Sequence, residues 1–144
     1  MQVKAITLYE PWASLIALGA KKIETRSWPT KYRGSLAIHA GKTIRAEYMN
    51  LAWQDPFRSV LLKSLGRNGG IEYHLGCVIA IAQLVDCVRM RPDNMPSGLE
   101  RSFGDYRVGR YMWFLDDVRR LEKPIPIRGQ QGLWEWGGSE GGTR

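Results

Sequence analysis

The segment Gly19-Ala20-Lys21-Lys22-Ile23-Glu24-Thr25-Arg26 decides how the rest of the chain is read. It follows Pro11-Trp12-Ala13-Ser14-Leu15-Ile16-Ala17-Leu18, in which Trp12, Leu15, Ile16 and Gly19 recur at helical spacing as one apolar stripe. Pro11 suits the first helical position, where a missing N–H costs nothing. Gly19 suits the stop, where a left-handed residue closes a helix. Beyond it the pattern predicts a strand. Side chains two apart share a strand face, so Lys22, Glu24 and Arg26 are expected on one side, Ile23 and Thr25 on the other. Lys21 sits at the junction and is expected to lean towards the mouth of whatever helix and strand enclose. Two readings of these charges stand side by side. They are ion pairs that fix the junction, or they line a functional cleft.

The chain has 144 residues and a net charge of +7, with Lys and Arg spread along its length and not gathered in one tail. That length predicts one domain over residues 1–137, followed by a flexible glycine-rich tail over 138–144. No apolar run approaches the ~18 residues that span a bilayer, and the N-terminus lacks a signal-peptide pattern. No membrane association and a cytoplasmic location are the expectation. A folded basic surface attracts polyanions. Cys77 and Cys87, read on one strand, stand about 33 Å apart at ~3.3 Å per residue; a disulfide between them is excluded. With two histidines and no Cys/His pair at zinc spacing, neither a metal nor a cofactor is expected.

Along the chain, residues 3–8 read as a first strand. Pro29 holds Trp28 extended, and Trp28, between Arg26 and Arg33, is either a core plug or a stacking platform. Residues 34–40 read as a half-buried strand with Leu36, Ile38 and Ala40 on one face. His39, on the other face and close to Lys42, is a hydrogen-bonded structural residue or a pocket residue. Thr43 is expected to cap a helical region that Pro56 interrupts and residues 60–65 resume. Residues 66–70 are expected to be a flexible loop. Residues 76–85 form the longest apolar run, a central strand covered on both faces, in which Gln83 must find a hydrogen-bond partner. Residues 99–103 predict a short helix capped by Ser97. Residues 111–115 predict a strong strand that ends at Asp116-Asp117, with Trp113 and Leu115 in the core. Pro124 and Pro126 mark an edge segment, and residues 132–136 close the sheet.

Gly19, Lys21, Glu24 and Arg26 make a Gly-x-Lys-x-x-Glu-x-Arg pattern. Together with Pro11-Trp12-Ala13, Tyr32-Arg33-Gly34 leading into Leu36–Ala40, and Gly129-Gln130-Gln131-Gly132-Leu133-Trp134, it resembles the ASCH domain family of the PUA-like superfamily over about residues 3–136. The resemblance implies an α+β fold: a small, mostly antiparallel PUA-like β-barrel with helices packed across the barrel openings. It also implies a basic cleft walled by aromatics that binds single-stranded RNA, a nucleoside or a nucleotide. Lys21, Arg26, Arg33 and Lys42 would take the backbone, Trp28 or Tyr32 would stack on a base, and His39 would line the pocket. The oligomeric state stays open.

Two enzymatic readings accompany the binding one. Some small ASCH proteins resemble amidohydrolases that deacetylate N4-acetylcytidine. Their motif carries lysine at the position of Lys21 but threonine at that of Glu24, so a threonine nucleophile does not carry over. Glu24 would instead activate water, with Lys21 stabilising the developing negative charge. The other reading is a metal-independent ribonuclease in the same cleft, in which a base and cations promote attack by a ribose 2′-hydroxyl.

Overall fold

The protein is described by a computed structural model over residues 3–137. The expected tail, 138–144, lies outside the described residues. In chain order the elements are β1 (Val3–Leu8), α1 (Trp12–Ala17), β2 (Ile23–Arg26), β3 (Gly34–Ala40), α2 (Ala46–Ala52), α3 (Phe57–Leu65), β4 (Gly66–Arg67), β5 (Gly70–Ile71), β6 (Cys77–Arg89), α4 (Gly98–Ser102), β7 (Tyr111–Pro126) and β8 (Leu133–Trp136). Six strands form one sheet in the order β2-β7-β6-β3-β1-β8. Every ladder in it is antiparallel except β1 against β3, where Ile6 faces Ile38 and Leu8 faces Ala40.

The ladder is open between β2 and β8, so the closed barrel that the resemblance implied is not formed. The reason is visible at β2. Its outward backbone groups are taken by side chains and not by another strand. The Glu100 carboxylate accepts from Lys22 N (2.8 Å) and Ile23 N (3.2 Å), Lys21 Nζ donates to Ile23 O, and Arg110 Nη2 donates to Thr25 O at 3.2 Å. Covering an edge in this way satisfies the backbone and blocks further pairing.

The sheet is buried on both faces at its centre. Alternation along β1 sends Ile6 and Leu8 into a cluster with Ile16, Leu36, Ile38, Trp113 and Leu115, beneath α1. It sends Val3 and Ala5 to the other face, with Val78, Ile81, Trp134 and Trp136. β6 is central, as its apolar run predicts, and Gln83 donates to Ser35 Oγ at 3.0 Å. Cys77 and Cys87 both lie on it as free thiols. A third cluster joins α1 to α3 through Leu15, Phe57, Leu61 and Phe103. Phe57, Leu61 and Leu65 are the buried positions of α3, four residues apart on one face.

Four expectations are corrected. Thr43 caps nothing: α2 begins at Ala46 with Arg45 at the N-cap. Residues 66–70 are not a flexible loop; β4 and β5 pair across Asn68-Gly69, whose φ values of 52° and 80° are what a two-residue hairpin turn requires. β7 does not stop at Asp116 but runs on to Pro126, bending where Asp117 takes a φ of 45° and the β6 register shifts. Ladder pairing with β2 ends at Phe114, so Pro124 and Pro126 lie where no ladder partner is needed on the outer side. Pro11 precedes the first helical residue as N-cap.

The entry to α1 holds a group that the sequence pattern does not flag. Glu10 is buried, and its carboxylate accepts from Ser14 N (2.9 Å) and Ser14 Oγ (2.6 Å), tying down the first turn. Burial raises its pKa from 4.5 to about 7, with the Ser14 bonds pulling the other way. A carboxyl whose folded pKa is raised holds its proton while the unfolded chain ionises. Its contribution to stability is therefore fully present below about 4.5 and is lost as pH rises to about 7. One pKa unit corresponds to about 1.4 kcal/mol, so the loss is roughly 3 kcal/mol. Urea denaturation at successive pH values is expected to show this slope in the wild type and its absence in Glu10→Gln. Identical slopes in both proteins would show that Glu10 ionises alike folded and unfolded.

Candidate functional site

The helix stop builds the first wall. Gly19 has a φ of +77°, its N–H bonds Ile16 O (2.9 Å), and Ala20 N bonds Leu15 O (3.0 Å). This is the double closure of a helix by a left-handed residue. It turns the chain sharply, so Lys21 enters beneath α1 and does not lean out of the mouth as expected. Lys21 is 1% exposed. Burial pushes its ammonium pKa down, while Glu24 and Glu100 push it back up. Its Nζ lies 3.9 Å from Glu24 Oε1, and Glu24 Oε2 accepts from Arg26 Nη1 at 3.2 Å. Glu24 and Thr25 are both buried, Arg26 is half-buried and Lys22 exposed, so the strand alternation holds only in part.

Above this floor lies a cleft of about 330 Å³. Tyr9, Trp12 and Tyr48 supply aromatic walls, the buried Phe57 and Phe103 back them, and Arg110 and Asp105 close the far side. Tyr48 meets Trp12 edge-on at 4.7 Å and Tyr9 at 5.4 Å, while the Arg45 guanidinium covers the Tyr9 ring at 5.0 Å. α2 is thus held over the cleft by its aromatic contacts. Arg107 holds Asp105 ionised below the usual carboxylate range. Lys21 and Arg26 sit beside Glu24, and Arg110 lies 3.6 Å from Asp105, so the cleft is basic but largely balanced.

A second, wider space of about 1200 Å³ adjoins it and shares Leu8, Tyr9 and Arg26 with it. Trp28, His39, Lys42 and the segment 126–132 line this groove. Trp28 packs edge-on against Trp113 at 4.9 Å, partly buried on the core, and carries Arg26 over its ring at 5.5 Å. His39 is buried, with Nε2 2.7 Å from Ile127 O and Nδ1 3.2 Å from Thr7 Oγ1. The carbonyl can only accept, so Nε2 carries the proton and Nδ1 accepts from the Thr7 hydroxyl.

Of the residues named from sequence, Lys21, Glu24 and Arg26 meet in the cleft, and Arg26, Trp28, His39 and Lys42 meet in the groove. Tyr32 and Arg33 line neither. The Tyr32 hydroxyl donates to Ser35 O, and Lys4 lies over its ring at 5.9 Å. Arg33 binds the carbonyls of Thr30 and Tyr32 and pairs with Asp86 at 3.6 Å. Tyr9, Tyr48, Phe103 and Arg110 were not anticipated. Tyr9, directly before Glu10-Pro11, stands where a strand meets a helix, a usable signal; Arg110 has none, because folding alone brings it to Thr25.

The family model of the ASCH domain matches residues 6–125. The chain belongs to the ASCH domain family. Activating signal cointegrator 1 of mouse is 26% identical to this ASCH chain over 133 residues, and the human protein is 27% identical over 134. Each alignment covers 90% of this chain and 22% of the relative, so the chain spans about a fifth of the length of those proteins. Among solved structures, ASCH from Zymomonas mobilis superposes with a TM-score of 0.52 at 17% identity, covering 95% of this chain and 88% of that one. A serine-to-alanine mutant of the same Zymomonas mobilis protein gives 0.51 at 16% identity, covering 91% and 85%. These likenesses establish a shared ASCH fold, α+β with a mostly antiparallel sheet.

Proposed function

We propose that this ASCH domain binds single-stranded RNA or a nucleotide, with a base held in the cleft above Glu24 and Arg26. The observation that carries this reading is the cleft wall: Tyr9, Trp12 and Tyr48, with the buried Phe57 and Phe103 behind them, line a space whose floor offers both guanidinium donors and a carboxylate acceptor. Flat rings stack on a base, and paired donors and acceptors suit its edge. The family is generally thought to bind RNA, which agrees with this chemistry. A duplex does not suit a recess of this size, because its bases are already stacked and paired.

The hydrolytic reading would use Glu24 as base and Lys21 as the cation. The geometry favours it less. Lys21 Nζ is committed to the Ile23 carbonyl, and Glu24 is shared with Arg26. A general base must reach the proton it abstracts, and here both groups are engaged in holding the strand edge. The ribonuclease reading meets the same obstacle.

Fluorescence anisotropy with a labelled single-stranded oligoribonucleotide tests the proposal. Neutralising Z phosphates gives a slope of about −0.7Z in log affinity against log salt. Three contacts predict a slope near −2, or about a hundredfold loss over a tenfold rise in salt. Absence of binding at low salt, or affinity indifferent to salt, would overturn the reading.

A further inference from the structure

The two adjoining spaces differ in charge, and the difference assigns them different parts of one ligand. The cleft contains Glu24 and Asp105 beside its cations. Among the described residues no carboxylate lines the groove, while Arg26, Lys42 and Arg128 all do. Lys42 and Arg128 are exposed and have no ion-pair or hydrogen-bond partner among the described residues. A phosphate is repelled by carboxylates and attracted by unpaired cations, whereas a neutral base tolerates both. We infer that the groove is a phosphate subsite, which takes the backbone of a single strand whose neighbouring base occupies the cleft. This rests on the RNA-binding reading above and extends it to a ligand longer than a nucleoside.

The groove is built, and its cations are placed by packing. Gly76, at φ +72°, has no side chain, and a Cβ there would lie 3.0 Å from Lys42 Cγ and 3.2 Å from its Cε. The Lys42 stem therefore packs against the Gly76 backbone at the wall of the groove. In the same groove a Cβ at Gly129 would lie 2.7 Å from both His39 Cε1 and Thr7 Oγ1. Only glycine lets the chain lie flat on that pair, and His39 also bonds Ile127 O. His39 is thus a positioning residue: it holds the segment that carries Arg128. Trp28 lies under Arg26 in the same groove and holds that guanidinium at its wall.

The test uses the full chain and three probes: a random-sequence single-stranded hexaribonucleotide, the four free ribonucleosides, and tripolyphosphate. Lys42→Ala with Arg128→Ala is compared with Lys63→Ala with Lys123→Ala, which removes the same charge from exposed positions outside both spaces. The groove variant is expected to bind the hexamer at least tenfold more weakly, with the salt slope shallower by about 1.4, the value for two lost phosphates. Nucleoside binding is expected to be unchanged, and the control variant is expected to match the wild type. Tripolyphosphate is expected to weaken hexamer binding by wild type and not to displace nucleosides. Equal loss in the control variant would reduce the effect to net charge and overturn the inference. Hexamer affinity unchanged in the groove variant would overturn it while leaving RNA binding in place. A wild type that binds none of the probes would remove both readings together.

Discussion

Lys21→Ala is expected to lower the free energy of unfolding by about 3–5 kcal/mol, the range for removing one partner of a buried charge pair. The Lys21 side chain is 1% exposed, so its removal leaves a void as well as a missing charge. It also leaves the Ile23 carbonyl, on the open edge of β2, without its donor. Glu24 would keep Arg26 alone. Lys21→Met restores the volume without the donor and is expected to recover only the packing part. Glu24→Gln retains the shape of the side chain but leaves the buried Lys21 ammonium without that carboxylate, so a folded variant of reduced stability is expected. On that variant an assay with N4-acetylcytidine decides the enzymatic reading: turnover in the wild type that disappears with Glu24→Gln would establish it. Urea unfolding of Lys21→Ala at wild-type stability would show that the ammonium is not holding the edge.

Trp134→Ala is expected to cost about 3–5 kcal/mol, as for other large aromatic truncations in a core. Trp134 is 5% exposed, stands opposite Ala5 in the β1–β8 ladder and packs with Val3, Ala37, Val78 and Ile81. Its indole Nε1 also donates to Thr7 Oγ1 at 3.2 Å, and Thr7 in turn serves His39. The ring meets His39 edge-on at 5.6 Å. Trp134→Phe separates these contributions: it keeps most of the packing and removes the donor, for a cost near ~1 kcal/mol. Calorimetric melts of the two variants check the split. Equal destabilisation by both would mean that the hydrogen-bonded relay, and not burial, dominates at this position.

Much of the scaffold is legible in the sequence because it depends on short-range regularity. The α1 stripe and its stop at Gly19, the alternation in β3 and the continuous apolar run of β6 all follow from spacing. The misreadings have local causes too. Asn68-Gly69 is a hairpin signal, but two-residue strands are too short to show alternation, so the segment reads as a loop. Asp116-Asp117 reads as a strand end because acidic pairs favour turns; β7 passes through them only because a bulge against β6 absorbs the left-handed residue.

The candidate site divides along the same line. The sequence by itself determined that Lys21, Glu24 and Arg26 stand together after a helix stop, because they lie within one strand's length of it. It also determined that residues 132–136 form the last strand; that Trp134 and Trp136 are buried in the core is read from the structure. Only the tertiary structure decided that Lys21 is buried and caps a strand edge, since that depends on Glu100 and Arg110 arriving from 78 and 85 residues away. The same holds for the separation of the cleft, with its carboxylates, from the groove, without them. Local periodicity sets which face a residue takes. What stands opposite that face is set by contacts between segments distant in the chain, and those contacts leave no period in the sequence.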